Sequence, residues 1–321
     1  VKIADLPPDC LPSKVASEGV ELTDIGRDEL PEPFYGQALA RLNERGRPVR
    51  VRVPLDTLAR LSDFEGLPGP RGLVFHVGRC GSTLLANMLG ANPAVRSVKE
   101  PEALNQALLE GSSGSVEPAR TVLRAFGRGL PAESGLVVKC TSWNTRRMRQ
   151  LLAAFPDAPA VFLWRPAVEV VASCLATEPA WAGWRDDPAL GETWFPQDPS
   201  AAGDRISFYA HAWRSVAGAA LEAAEAFGPR VRFVSYAELR QAPGEVATAT
   251  ARYFGLPVSP ESSALMAQQA TRYSKDPSGT ARFDPAGSHS RPQLTEQQRA
   301  LVEGITGPQE AALSARSRSD G

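Results

Sequence analysis

With 321 residues, 43% of them hydrophobic and 22% charged, the chain has enough apolar material for one large core or two small ones, which excludes a disordered polypeptide. Its formal charge of -1, from 35 Lys and Arg against 36 Asp and Glu, offers no bulk attraction to nucleic acid or an anionic membrane, so an anionic ligand has to be met locally. There is no run of about 18 apolar residues and no basic segment leading into an apolar one, so the expectation is a cytoplasmic protein with no membrane and no nucleic-acid partner.

Residues 1–70 read as a proline-rich, irregular cap packed on the core, with one helix at 33–45 and a strand-like run at 49–53. The cluster Gly66-Leu67-Pro68-Gly69-Pro70 then breaks the chain. From residue 72 short apolar runs alternate with helical periodicity, the pattern of a mainly parallel sheet covered on both faces. The strand candidates are 73–77, 94–98, 135–138, 160–164 and 231–235. Helices are expected at 82–90, 118–126, 145–154, 167–176, 206–226, 243–253 and 260–272. The segment 178–204 stands apart, with Trp181, Trp184 and Trp194 among Asp, Pro and Gly. It is either an acceptor-side wall or a long loop anchored by its tryptophans. Thr295 and Gln298 form a capping box for a last helix running toward Leu313, followed by a frayed tail from Ser314. The expected organisation is a cap over 1–70, an α/β core over 71–290 and a C-terminal helix with its tail over 291–321.

In an open parallel sheet, ligands collect at the carboxyl ends of the strands. After the five candidate strands come Gly78-Arg79-Cys80-Gly81-Ser82-Thr83, then Lys99-Glu100-Pro101, Lys139-Cys140-Thr141-Ser142, Arg165 and Tyr236. The first of these, between a buried strand and a helix, aims backbone N–H groups and the positive end of a helix dipole at one point, which suits a phosphate. It lacks the G-x-x-x-x-G-K-[ST] lysine, and no other strand ends in an aspartate able to hold Mg²⁺, so ATP or GTP hydrolysis is disfavoured. Cys80 does not open a phosphatase C-x5-R loop, because Ala86 stands where the arginine would be. The four cysteines are too dispersed for a disulfide framework, and His76, His211 and His289 form no metal-ligand set. His76, inside the opening strand, reads as a core histidine.

Over residues 72–285 the chain resembles the sulfotransferases that use 3′-phosphoadenosine 5′-phosphosulfate (PAPS). Arg79, Gly81, Ser82 and Thr83 fit that family's 5′-phosphosulfate loop. Arg165 and, eight residues on, Ser173 fit its 3′-phosphate pair, with Pro166 taken as the first helical position. The run 231–239 resembles its late strand, making Tyr236 a neighbour of the adenine. The resemblance implies a P-loop-like three-layer fold around a mainly parallel five-stranded sheet, PAPS as donor with no metal, and a small-molecule acceptor carrying a hydroxyl or amine. It implies a cofactor site formed by Gly78, Arg79, Cys80, Gly81, Ser82, Thr83, Arg165, Ser173 and Tyr236, with Arg272 and Lys275 as further 3′-phosphate ligands. Arg79 is expected to stabilise the leaving oxygen and Lys139 to lie near the sulfuryl group. Glu100 is the expected base, with Glu102 as the alternative carboxylate, and Ser142 and Trp143 are expected to line the acceptor pocket.

Plainer readings remain for several of these residues. Glu100 can be a cap or a partner of Lys99, Lys139 a solvated strand end, Tyr236 a core residue, and Arg272 and Lys275 surface groups. The competing functions are a nucleotide-dependent phosphotransferase and a non-catalytic nucleotide-binding module.

Overall fold

The computed structural model describes residues 6–17, 19–26, 30, 32–46, 49–64, 66–110, 115–187, 203–271 and 293–319. Before residue 70 the helix expected at 33–45 and the strand expected at 49–53 are present, but the remainder is more regular than the sequence reading has it. Three strands, β1 (Cys10–Ala16), β2 (Gly19–Asp24) and β3 (Arg50–Val53), form an antiparallel sheet in that order. Helices α1 (Tyr35–Glu44) and α2 (Leu55–Phe64) flank β3 in sequence. Strand β1 escapes pattern reading because it does not alternate. Leu11, Pro12 and Ser13 are all buried, and the register shifts between Pro12 and Lys14, where a missing N–H is tolerated. In α2, Leu55, Leu58 and Leu61 carry a helical period too short to stand out over ten residues. This segment is bonded to the α/β core: Gln106 Oε1 accepts from the Val15 N–H at 2.7 Å, and Arg128 donates to the Cys10 carbonyl at 3.3 Å.

The second sheet consists of β4 (Gly72–His76), β5 (Val95–Lys99), β6 (Gly135–Lys139), β7 (Ala160–Trp164) and β8 (Val231–Ser235). Its order is β5-β6-β4-β7-β8 and every pair is parallel. Strands β4, β6 and β7 are buried at every position, which accounts for their continuous apolar runs. The chain leaves β4 through α3 (Ser82–Gly90) for β5 on one side, and reaches the other side only with β7. The loop after β4 therefore lies at the switch point where such sheets bind ligands.

Helix α4 (Glu102–Glu110) follows β5, and α5 (Glu117–Ala125) precedes β6. A 3-10 segment, Ser142–Arg147, leads into α6 (Met148–Ala154), and α7 (Ala167–Ala176) follows β7. After it come α8 (Arg205–Phe227), α9 (Tyr236–Gln241), α10 (Pro243–Tyr253), α11 (Pro260–Gln269) and α12 (Glu296–Ser319). Helices α3, α10 and α11 pack together as one layer, and α6, α7, α8 and α12 as another.

Several expectations need correction. Helix α4 has no counterpart among the expected helices, and the helix expected from Thr145 begins as a 3-10 turn at Ser142, where Thr141 and Asn144 form a capping box. Pro166 is the N-cap of α7, not its first helical residue. The tail expected to fray after Leu313 continues as helix to Ser319. It is held because Leu313 is buried and the Ser317 hydroxyl accepts from Trp164 Nε1 at 2.8 Å. Among the described residues no helix is long and apolar enough to cross a membrane.

Candidate active site

The loop joining β4 to α3 is built from backbone conformations that L-residues avoid. Gly78, Arg79 and Gly81 have φ of 82°, 53° and 82°. Gly81 is the N-cap of α3 and brings no side-chain acceptor to the first-turn N–H groups of the helix, which face the loop. Successive N–H groups turned inward by left-handed residues form an anion-binding concavity, and the helix dipole adds to it. Gly81 also has no room for a side chain: a Cβ there would lie 2.8 Å from Leu239 Cδ2 and 3.2 Å from Tyr236 Cδ2.

Arg79 is held in its strained conformation from three directions. The Gly78 N–H donates to His76 Nδ1 at 2.9 Å, Arg165 Nη1 donates to the Arg79 carbonyl at 3.2 Å, and the Arg79 guanidinium donates to the Thr177 carbonyl. Its Nε is buried without a partner. Cys80 turns inward, its thiol donating to the Leu163 carbonyl at 3.4 Å, and burial pushes its pKa up to about 11. The Cys80 side chain thus belongs to the core, so any part Cys80 takes in the cofactor site falls to its backbone.

Glu100 is the other non-glycine residue with positive φ among the described residues, at 49°. Its N–H donates to the Lys139 carbonyl at 2.7 Å, which places it beside the end of β6. There its Oε1 pairs with Lys139 Nζ and lies 3.5 Å from His76 Nε2. Lys139 is 1% exposed and Glu100 21%. Burial pushes the Glu100 carboxyl up, but the Lys139 ammonium and then His76 override it and hold the pKa down at about 2. The Lys139 ammonium also lies 5.7 Å from the centre of the Phe34 ring, so the N-terminal segment reaches this pair.

The suggested Glu100–Lys99 pair does not form. Lys99 is the last residue of β5, whereas Glu100 lies just beyond it in a left-handed conformation, and Lys99 Nζ donates instead to Asn87 Oδ1 at 3.1 Å and to the Leu30 carbonyl at 2.6 Å. Burial brings the Lys99 pKa down to about 8, opposed by Glu32.

On the other side of β4, Arg165 ends up beneath Tyr236, its Cζ 4.4 Å from the ring centre. Arg165 Nε donates to Glu169 Oε2 at 2.7 Å, and Trp213 Nε1 fixes the Arg165 carbonyl at 3.0 Å. Ser173 is buried one turn beyond Glu169, on the same face of α7. Tyr236 is the first residue of α9, set by a capping box between Ser235 and Glu238.

Of the expected acceptor-side residues, Ser142 faces Gly78, whose Cβ position lies 3.9 Å from Ser142 Oγ. Trp143 packs edge-on against Trp184, with ring centres 4.6 Å apart, and Trp181 meets Phe208 and Tyr209. Glu102 is exposed at the start of α4, accepting from Asn105 Nδ2 at 3.1 Å. Arg272, Lys275 and Trp194 lie outside the described residues.

No protein-family model and no curated protein matches the chain. Among solved structures, a sulfotransferase of Mycobacterium avium, 15% identical, aligns over 81% of this chain and 81% of its own, with a TM-score of 0.51. A sulfotransferase from Alicyclobacillus acidocaldarius also matches, at 15% identity over 78% of this chain and 96% of that one, with a TM-score of 0.45. A mouse sulfotransferase complexed with PAP is 10% identical over 82% and 93%, with a TM-score of 0.43. The first of these, with the highest TM-score of the three, carries the assignment. The fold is that of the sulfotransferases.

Within this sulfotransferase fold the sequence reading missed Phe34, Asn87, Glu169 and the part played by His76. Phe34 lies at the start of the helix expected at 33–45, where nothing local points it at a residue a hundred positions on, and Glu169 looks like any first-turn helical acid. For His76 a signal existed: it stands two residues before a glycine that must adopt a left-handed turn, within reach of that turn's N–H.

Proposed function

We propose that the protein is a PAPS-dependent sulfotransferase acting on a small-molecule hydroxyl or amine. The observation that carries this reading is the placement of a helix N-terminus without a side-chain cap and a carboxylate paired to a buried ammonium at one sheet edge. The residues fit the donor. The first-turn N–H groups of α3 with Ser82 and Thr83 suit its 5′-phosphate, and the buried, unpartnered Arg79 Nε lacks an acceptor that the phosphosulfate end supplies. Arg165 and Ser173 suit the 3′-phosphate. Arg165 is engaged with Glu169, but that carboxylate is 50% exposed and can turn out to water, which leaves the buried guanidinium to a phosphate.

The donor, when bound, supplies an activated sulfuryl group. The protein has to orient the acceptor, take its proton and hold the charge that grows on the leaving oxygen. Arg79 and the loop N–H groups serve that charge, which they meet in a preorganised arrangement. Glu100 takes the proton. Paired with Lys139, at a pKa of about 2, it is a weak acceptor of protons. Each step of the ammonium away from Oε1 toward developing negative charge makes the carboxylate more basic, so Lys139 can link base strength to charge development. Trp143 and Trp184 form an aromatic wall beside Ser142 and favour a flat or apolar acceptor.

The test is a thermal-shift comparison of 3′,5′-adenosine bisphosphate with ATP plus Mg²⁺. At one hundred times its dissociation constant, the bisphosphate stabilises the fold by about 2.7 kcal/mol. Preferential stabilisation by ATP sinks the reading, because only a 3′-phosphate gives Arg165 and Ser173 a task.

A further inference from the structure

His76 has both ring nitrogens engaged, and each with a different half of the site. Nδ1 accepts from the Gly78 N–H at 2.9 Å, so it carries no proton. The single ring proton therefore sits on Nε2, which lies 3.0 Å from the Cys140 carbonyl and 3.5 Å from Glu100 Oε1. The ring is 4% exposed and lies at the end of the central strand. Burial, with Lys139 beside it, keeps the imidazole neutral against the pull of Glu100. Protonating it would require the Gly78 N–H to face an N–H donor.

We propose that His76 is a positioning residue that locks the anion-binding loop and the Glu100 carboxylate into one rigid frame. Its Nδ1 holds Gly78, the first residue of the left-handed turn, and its Nε2–H holds the end of β6 and the nearby carboxylate. The loop and the base come from strands β4 and β5, which are not neighbours in the sheet, and β6 lies between them. His76 and Lys139 bridge that gap. This inference rests on the proposed function for the roles of loop and base, but the bridge is testable by itself.

Asparagine at position 76 places a carbonyl oxygen where Nδ1 is and leaves the Nε2 side empty; glutamine reaches the Nε2 side and leaves Gly78 unbonded. Three readouts separate them: the affinity for 3′,5′-adenosine bisphosphate by calorimetry, the Glu100 carboxyl titration by ¹³C NMR, and kcat against donor KM. His76→Asn should bind the bisphosphate within about threefold of wild type, while its Glu100 titration moves upward and its kcat falls at least tenfold. His76→Gln should lose about tenfold in bisphosphate affinity while the Glu100 titration stays in place. If the two variants change all three readouts alike, or neither changes any, His76 is packing and the inference falls. A measurement on the wild type stands even if a variant fails to fold: ¹⁵N NMR at neutral pH should show His76 as the neutral Nε2–H tautomer, and an Nδ1–H tautomer or an imidazolium overturns the proposal. Absence of bisphosphate binding by wild type would instead refute the proposed function and leave the tautomer and titration results to judge the bridge.

Discussion

Replacing Lys139 with methionine keeps the length of a side chain that is almost wholly buried and removes only its charge. The cost is set by Glu100. Its pKa lies at about 2 in place of the ordinary 4.5. At about 1.4 kcal/mol per tenfold change, that displacement is worth about 3 kcal/mol in favour of the charged form. Because the folded value is depressed, this stabilisation is fully present above pH 4.5 and is lost as pH falls toward 2. In Lys139→Met the carboxylate keeps its burial and loses its main partner, so its pKa rises above the ordinary value. The variant should therefore be less stable than wild type by about 3 kcal/mol at pH 7, in line with breaking a buried pair from one side. The difference should shrink steadily between about pH 6 and pH 3, as the variant takes up a proton that the wild type refuses. Urea unfolding at about pH 7, 5 and 3.5 reads this directly. A gap that does not change with pH, or no gap at neutral pH, refutes the assigned coupling between Glu100 and Lys139.

Other substitutions probe the loop, the base and the C-terminal helix. Arg79→Ala should lower sulfuryl transfer by about 10²–10³-fold, the usual cost of removing one group that stabilises developing charge, measured as kcat with saturating donor. Glu100→Gln should slow turnover by about 10²–10⁴-fold and leave bisphosphate affinity nearly unchanged; full activity would remove Glu100 from the mechanism. Gly81→Ala puts a Cβ 2.8 Å from Leu239 and fixes an unfavourable φ, so calorimetry should show weakened bisphosphate binding together with a loss of about 1–3 kcal/mol of stability. Ser317→Ala leaves the Trp164 indole N–H buried without an acceptor and should cost about 1–3 kcal/mol in urea unfolding, with no change in bisphosphate affinity.

The parallel sheet is legible in the sequence because buried parallel strands leave an unmistakable mark, short runs such as Leu73–Val77 and Ala160–Trp164 set between helical periods. The loop is legible for the same local reason: Gly78 and Gly81 stand where only positive φ closes the turn. Two kinds of feature stay hidden. Strands β1 and β2 are buried on both faces and bulged at Pro12, so neither alternation nor a continuous apolar run announces them. The second kind is pairing at a distance. Nothing in the chain says that Glu100 chooses Lys139 over its neighbour Lys99; the left-handed backbone at Glu100, just past the end of β5, goes with the Lys139 pair, while Lys99 is taken up by Asn87. His76 reads as a core residue from its strand position, and it is buried as that reading requires. Its ring bonds depend on a turn and a neighbouring strand whose positions the sequence does not supply.

Arg79 and Glu100 share a property that bears on how this protein responds to engineering. Each holds a backbone conformation that glycine adopts without penalty and that costs a larger residue about 1–3 kcal/mol. At Arg79, glycine would relieve that strain and remove a side chain on which the proposed turnover depends. At Glu100 it would also leave the Lys139 ammonium, 1% exposed, without its carboxylate, a loss of about 3–5 kcal/mol that outweighs the relief. A stability screen run without an activity counter-screen would therefore accept glycine at 79 and reject it at 100, and the two screens together would separate strain kept for chemistry from strain held in place by a buried pair.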